Sequence, residues 1–189
     1  MRRLTLLLAA VLLLAGCSTS DNAVARGGTF EFVTPGGKTE IFYEPPAERG
    51  TVGQISGPGV RDPSQTVALA QFRGQVVVLN VWGSWCGPCR SEVPDLQRVS
   101  ELDGVTVLGI DVRDDRQAAA DFMRTYGLTY PSIFDPPGRT LFALNGVPRS
   151  VVPLTVVLDR QHRVAAVFLR EIEAADLLPL VRRLAAEPR

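Results

Sequence analysis

Cysteine, histidine and lysine are scarce in this chain: among 189 residues there are three cysteines, one histidine (His162) and one lysine (Lys38). A tetrahedral metal centre takes four ligands, so zinc would have to draw in Cys17 and His162 beside Cys86 and Cys89. Basic and acidic side chains balance at 20 each, the arginines are scattered, and no basic block follows the N-terminal segment. Nucleic acid is therefore not an implied partner. No internal repeat occurs, and no second long apolar run follows Leu14.

What is present begins at the N-terminus. Met1-Arg2-Arg3 is a positive start, Leu4 to Leu14 is an apolar stretch, and Leu14-Ala15-Gly16-Cys17 closes it with small residues. The stretch is shorter than the roughly 20 residues a spanning helix needs. The tetrapeptide resembles the lipobox of bacterial lipoproteins, which implies removal of residues 1–16 and acylation of Cys17. An ordinary secretory signal and an uncleaved anchor are the alternatives, and each exports the chain. Outside the cytoplasm disulfides are permitted. With Cys17 assigned to lipid, the remaining two cysteines form one pair with none left over.

That pair lies in Trp85-Cys86-Gly87-Pro88-Cys89, directly after the apolar run Val76 to Trp82, which reads as a buried strand. A strand that delivers Cys-x-x-Cys to the first turn of a helix is a redox site. The unpaired amides and the positive end of the dipole at a helix start favour thiolate over thiol. Cys86 is the expected nucleophile. Cys89, one turn further, is placed to attack a mixed disulfide on Cys86 and release the product. Half of a zinc site is one alternative; a structural bridge is the other, although a bridge closing so short a loop restrains the unfolded chain little.

The organisation expected along the chain is a signal at 1–16, a lipidated tether at 17–27, an N-terminal extension at 28–65 and the main domain at 66–189. Thr29 to Val33 and Thr39 to Tyr43 flank Pro35-Gly36-Gly37 and read as a hairpin. Glu44 to Ser64, rich in Pro and Gly, reads as a loop. Strands are expected near 76–82, 105–111, 154–159 and 163–169, and helices near 88–101, 115–126 and 174–186. Gly127 is placed to stop the second helix. Phe122, Met123 and Tyr126 are expected to face the core, and His162 to lie on the surface.

Asn80 to Pro94, with Trp-Cys-Gly-Pro-Cys at its centre, resembles the active-site segment of the thioredoxin superfamily and, more narrowly, of the TlpA/ResA/CcmG group of membrane-tethered thiol–disulfide oxidoreductases. Gly109 to Asp115 followed by a helix, and Val152-Pro153 followed by Leu154 to Asp159, extend the likeness over roughly 66–187. The resemblance implies a thioredoxin-like α/β fold, a central mixed sheet flanked by helices, with an N-terminal β-hairpin extension. It makes Pro153 the cis-proline facing the cysteines, with Pro148 as rival, and has Val152 offer its backbone to an extended substrate. Trp85 would shield Cys86. Pro94 should kink the first helix. Two positions depart from relatives: Asn80 stands where thioredoxins bury an aspartate and cannot take a proton, and Leu154 stands where some relatives carry glutamate. Glu92 matches an acidic residue of the ResA-like proteins and would help Cys89 lose its proton; a solvated helix carboxylate is the other reading.

The function this implies needs no cofactor beyond the redox-active pair. Cys-Gly-Pro-Cys is thioredoxin's own motif, and thioredoxin sits near about −270 mV against about −120 mV for the oxidant DsbA. No histidine adjoins the pair to stabilise the thiolate, which favours a reductant. By family analogy the substrate is apocytochrome c during its maturation, the electron donor a membrane thiol transporter of the CcdA/DsbD kind, and the location the outer face of the cytoplasmic membrane. The alternatives are an extracytoplasmic oxidase or isomerase, a thiol peroxidase, and a non-catalytic lipoprotein that binds apocytochrome.

Overall fold

Apolar, β-branched runs become the central strands and amphipathic stretches become the helices. The computed structural model describes residues 28–188; the signal, the tether and Cys17 lie outside them. In chain order the strands are β1 (Glu40–Phe42), β2 (Ser56–Pro58), β3 (Thr66–Ala68), β4 (Val76–Trp82), β5 (Val105–Asp111), β6 (Ser132–Phe134), β7 (Leu154–Leu158) and β8 (Val164–Phe168). The α-helices are α1 (Gly87–Ser100), α2 (Arg116–Thr125) and α3 (Ala174–Ala186). Six strands form one sheet in the order β1-β8-β7-β4-β5-β6, and β2 pairs with β3 apart from it. β4, β5 and β6 run parallel, while β7, β8 and β1 are joined to them by antiparallel pairings.

β4 is buried at every position, as a central strand covered on both faces must be. Alternate residues serve the two sides. Val76, Val78 and Trp82 join the cluster formed with Val93 and Leu96 of α1, Phe122 of α2 and Leu177 and Val181 of α3. Val77, Leu79 and Val81 face a second cluster with Phe30, Tyr43, Ile55 and Leu141. The segment before β4, together with Leu141, Leu144 and Val147 from between β6 and β7, therefore covers this sheet face. Phe30 and Tyr43 meet edge to face at 5.5 Å, and each aromatic buried this way contributes roughly 1.5–3 kcal/mol.

The strands and helices expected from 76 onward form within a residue of their expected bounds at most ends, and Gly127 closes α2 at φ 62°. The hairpin does not form. Phe30 N–H donates to Thr51 O and Phe32 N–H to Asn145 O, while β1 pairs with the distant β8, Ile41 opposite Val167. An alternating pattern marks a half-buried strand without naming its partner, and the sheet had an open edge at β8. The expected loop contains β2, and β6 adds a further short strand. Tyr126 is 39% exposed, stacked on Phe122 at 4.7 Å. His162 is buried, at 5% exposure, not on the surface. It sits at φ 60° in the β7–β8 turn, with its Nε2 3.1 Å from Phe72 O.

Candidate active site

Cys86 caps the N-terminus of α1: its Sγ accepts a hydrogen bond from Cys89 N at 3.2 Å, and its own N–H donates to Gly83 O at 3.0 Å. Cys86 and Cys89 are joined as a disulfide. Cys86 is 3% exposed and Cys89 fully buried, so the outer sulfur is the one nearer solvent. Gly87 and Pro88 form the first turn, where proline loses no helical hydrogen bond. Nothing lies within 4 Å of where a Gly87 Cβ would stand, which leaves open space beside the pair. Pro94 lies inside the helix, removing one backbone donor.

Register places the partner loop. Val81 stands opposite Leu154, so Pro153 falls at the end of the sheet from which Trp82 leads into the cysteine turn. The Val152–Pro153 bond is cis, whereas the rival Pro148 follows a trans bond. Val152 packs against the cluster that contains Cys86 and Cys89. Trp85 is 46% exposed. Its ring lies over Gly83, leaving no room there for a Cβ, and Nε1 donates to Val112 O at 3.1 Å. The Arg113 guanidinium stands 4.8 Å from the ring centre.

Glu92 is not a solvated carboxylate: it is 1% exposed. Three residues beyond Cys89, it shares that residue's helix face. Its Oε1 accepts from Asn80 Nδ2 at 2.8 Å and its Oε2 from Ile172 N at 3.3 Å. Burial pushes the carboxyl up to about 7 against the pull of these two bonds. Asn80 Nδ2 also reaches Thr155 Oγ1 at 3.2 Å, while Asn80 Oδ1 has no partner among the described residues. Half a turn of the amide exchanges donor for acceptor, so Asn80 matches Glu92 in either protonation state. A buried carboxyl is thus present on α1, hydrogen-bonded across to the strand position that holds Asn80.

Residues that the motif alone does not reveal hold the turn before Cys86. Asp114 accepts from Ser84 N at 2.5 Å and from Ser84 Oγ at 2.8 Å, and Arg90 donates to Ser84 O at 2.9 Å. The neighbouring Asp115 caps α2, accepting from Gln117 N and Ala118 N. His162 lies at the other end of the sheet, beside the segment that enters β4, so no imidazole adjoins the cysteines.

A thioredoxin-like sheet carrying Cys-Gly-Pro-Cys at a helix start, with a cis-proline loop at the same sheet end, defines a thiol–disulfide oxidoreductase. The chain belongs to the Redoxin family, whose profile matches residues 49–177. It is 35% identical over 136 residues to the thiol:disulfide interchange protein DsbE of Pseudomonas aeruginosa, covering 69% of this chain and 73% of that one. It is 30% identical over 112 residues to the thiol-disulfide oxidoreductase ResA of Geobacillus kaustophilus, covering 58% of this chain and 63% of that one. The crystal structure of a secreted thiol-disulfide isomerase from Corynebacterium glutamicum superposes with a TM-score of 0.82 at 50% identity, over 85% of this chain and 100% of the other. Among the described residues no helix is long and apolar enough to cross a membrane.

Proposed function

We propose that this oxidoreductase is an extracytoplasmic reductase, held at the outer face of the cytoplasmic membrane by a lipid on Cys17, that returns apocytochrome c cysteine pairs to thiols. The observation that carries the reading is the Cys-Gly-Pro-Cys pair at a helix start with no imidazole beside it. In the reduced protein the Cys86 thiolate attacks a substrate disulfide, forming a mixed disulfide and expelling one substrate thiolate. Cys89 then attacks Cys86 Sγ, with Glu92 taking the Cys89 proton. The second substrate thiolate leaves, two electrons have passed to the substrate, and the Cys86–Cys89 disulfide remains. Val152 and Pro153 hold the substrate backbone alongside, and Trp85 covers the reacting sulfur. A membrane dithiol donor of the CcdA/DsbD kind would restore the reduced pair.

The decisive measurement is the reduction potential by equilibration with dithiothreitol or glutathione. The reading expects a value below about −220 mV, on the thioredoxin side of the scale. A Cys89→Ser variant should trap an apocytochrome or its maturation partner, and Cys17→Ser should release the protein from membranes. A second reading, disulfide isomerisation or formation, is favoured by the name of the half-identical secreted isomerase. A potential near about −130 mV, with secreted folding proteins trapped, establishes that reading instead.

A further inference from the structure

The chain leaving β5 runs beside the cysteine turn, where Trp85 Nε1 donates to Val112 O. The next residue, Arg113, sits at φ 54°, in the left-handed region that few residues other than glycine adopt. Its N–H is held there by Pro136 O at 2.9 Å. From this position the exposed Arg113 side chain joins the two walls of the exchange site. On one side its guanidinium lies 4.8 Å from the centre of the Trp85 ring, directly before Cys86. On the other, Nη2 donates to Ser150 O at 3.3 Å, in the loop that leads to Pro153.

Two more exposed arginines flank this bridge. Arg90 of α1 donates to Ser84 O at 2.9 Å, and Arg149, adjoining Ser150, stands 3.9 Å from the centre of the Phe142 ring, itself 67% exposed. Rings and carbonyl oxygens anchor all three guanidiniums, and none of them meets a carboxylate within ion-pair distance among the described residues. The acids close by are occupied: Asp114 accepts from Ser84, Asp115 from the first turn of α2, and Asp135 from Arg139 N and Thr140 N. The whole chain carries 20 basic and 20 acidic side chains, so the local excess of positive charge does not follow from a basic composition. A guanidinium stacked on a ring keeps edge donors for a planar carboxylate, and its fixed geometry lowers the entropy lost on binding. An unpaired cation where a partner must approach favours an anion on that partner.

We propose that Arg113 is a specificity residue of the exchange site, selecting disulfide partners that carry aspartate or glutamate beside the reacting cysteine. The inference rests on Cys86 attacking a substrate laid along Val152 and Pro153, and it holds for either direction of electron flow. Arg90 and Arg149 widen the same positive rim. The occupant is a polypeptide and not a lipid surface, because the guanidinium is fixed to Trp85 and to the loop before Pro153, where whatever approaches is what exchanges with Cys86.

The test uses the reduced protein and cyclic Cys-x-x-Cys peptide disulfides that differ only in their flanking residues: aspartates, asparagines or lysines. Each rate is divided by the rate at which dithiothreitol reduces the same peptide, which removes differences intrinsic to the peptides. At low salt the aspartate peptide should react about fivefold faster than the asparagine peptide, the scale of one exposed ion pair, and the lysine peptide more slowly than either. About 0.5 M sodium chloride should bring the three within about twofold of one another. Equal ratios at low salt overturn the specificity. Arg113→Gln should lose most of the preference for aspartate, and Arg113→Glu should turn it toward lysine. A role confined to holding the loop would slow every peptide alike and leave the ratios as they are, which overturns the proposal. Should the Arg113 variants fail to fold, the Cys89→Ser protein decides: trapping the aspartate peptide should shift the Arg113 Nε–H resonance and trapping the asparagine peptide should not, and an unmoved resonance overturns the contact. A reduced protein that reacts with none of the peptides defeats the exchange reading and the specificity with it, whereas equal ratios defeat the specificity alone.

Discussion

Glu92 shows how burial changes an ordinary helix carboxyl, raising the pH at which it gives up its proton. With a carboxyl raised to about 7 by desolvation, it is available as a base near neutral pH, the condition general base catalysis asks for. Glu92→Gln should slow resolution of the mixed disulfide by at least tenfold and abolish the rise in rate through pH 7, as stopped-flow quenching across pH 5.5–8.5 would report. The fold should tolerate the change, because a turned Asn80 amide offers Oδ1 to the new side-chain amide. Cys86 should alkylate with an apparent pKa toward ~7, below the model thiol value of about 8.5, since it caps a helix, and Cys89 should stay unreactive in the reduced, folded protein; mass analysis at each cysteine checks both. At this scale the cysteine pair was legible because one contiguous motif carries it, while Pro153 came from a separate Val-Pro segment with Pro148 as its rival, and Glu92 had two readings until its burial decided between them. The Asn80–Glu92 contact joins a strand to a helix within that motif and the Asp114–Ser84 contact joins residues 30 apart, and no local spacing announces either.

Among elements, the segment before β4 is fastened to the end of α3 by one buried arginine. The Arg49 side chain is inaccessible to solvent and donates to Glu44 at 2.9 Å, Asp159 at 3.2 Å and Glu187 at 2.6 Å, while its Nε reaches Tyr43 O at 3.3 Å. Removing one partner of a buried ion pair leaves charge stranded and costs ~3–5 kcal/mol. Arg49→Ala should fall near the lower end, ~3 kcal/mol, because Asp159 keeps Arg163 at 2.8 Å. Urea unfolding would measure this, and the Cys86 alkylation rate should stay within twofold, the cluster lying at the sheet end away from the cysteines. The alternation in 39–43 correctly marks a strand, but its partner is β8 because pairing with an open sheet edge buries Ile41 against Val167. The three residues of β6 carry too little period to read as a strand from sequence.

For the molecule as a whole, two buried acids set the pH dependence of stability. The folded-state values of Glu92 and Asp111 are raised to about 7 and about 9, so between the ordinary carboxylate range and those values the folded state holds protons that the unfolded state has released. Stability then falls as pH rises, each group contributing a slope of up to ~1.4 kcal/mol per pH unit. His162, lowered by burial, acts in the other direction only below its unfolded value. Asp176 and Glu187, held down by Arg170 and Arg49, lose their contribution as pH falls into the carboxylate range. Denaturation of the oxidised protein should therefore show a maximum at mildly acidic pH and a loss of order 3 kcal/mol from pH 6.5 to 9. Asp111→Asn should remove most of that alkaline limb; a flat profile in the natural protein would contradict the burial of both acids in their neutral forms.

By itself the sequence determined the class of chemistry and the core of the architecture. A Cys-Gly-Pro-Cys turn after a seven-residue apolar strand is a local pattern, and local patterns survive whatever surrounds them. Only the tertiary structure decided which acids are buried, which way the N-terminal strand pairs and what holds the turn before Cys86. Burial and partnership are properties of distances between segments: Asp111 comes to lie beside Trp82, and Asp114 reaches the Ser84 turn, only once β4 and β5 lie side by side.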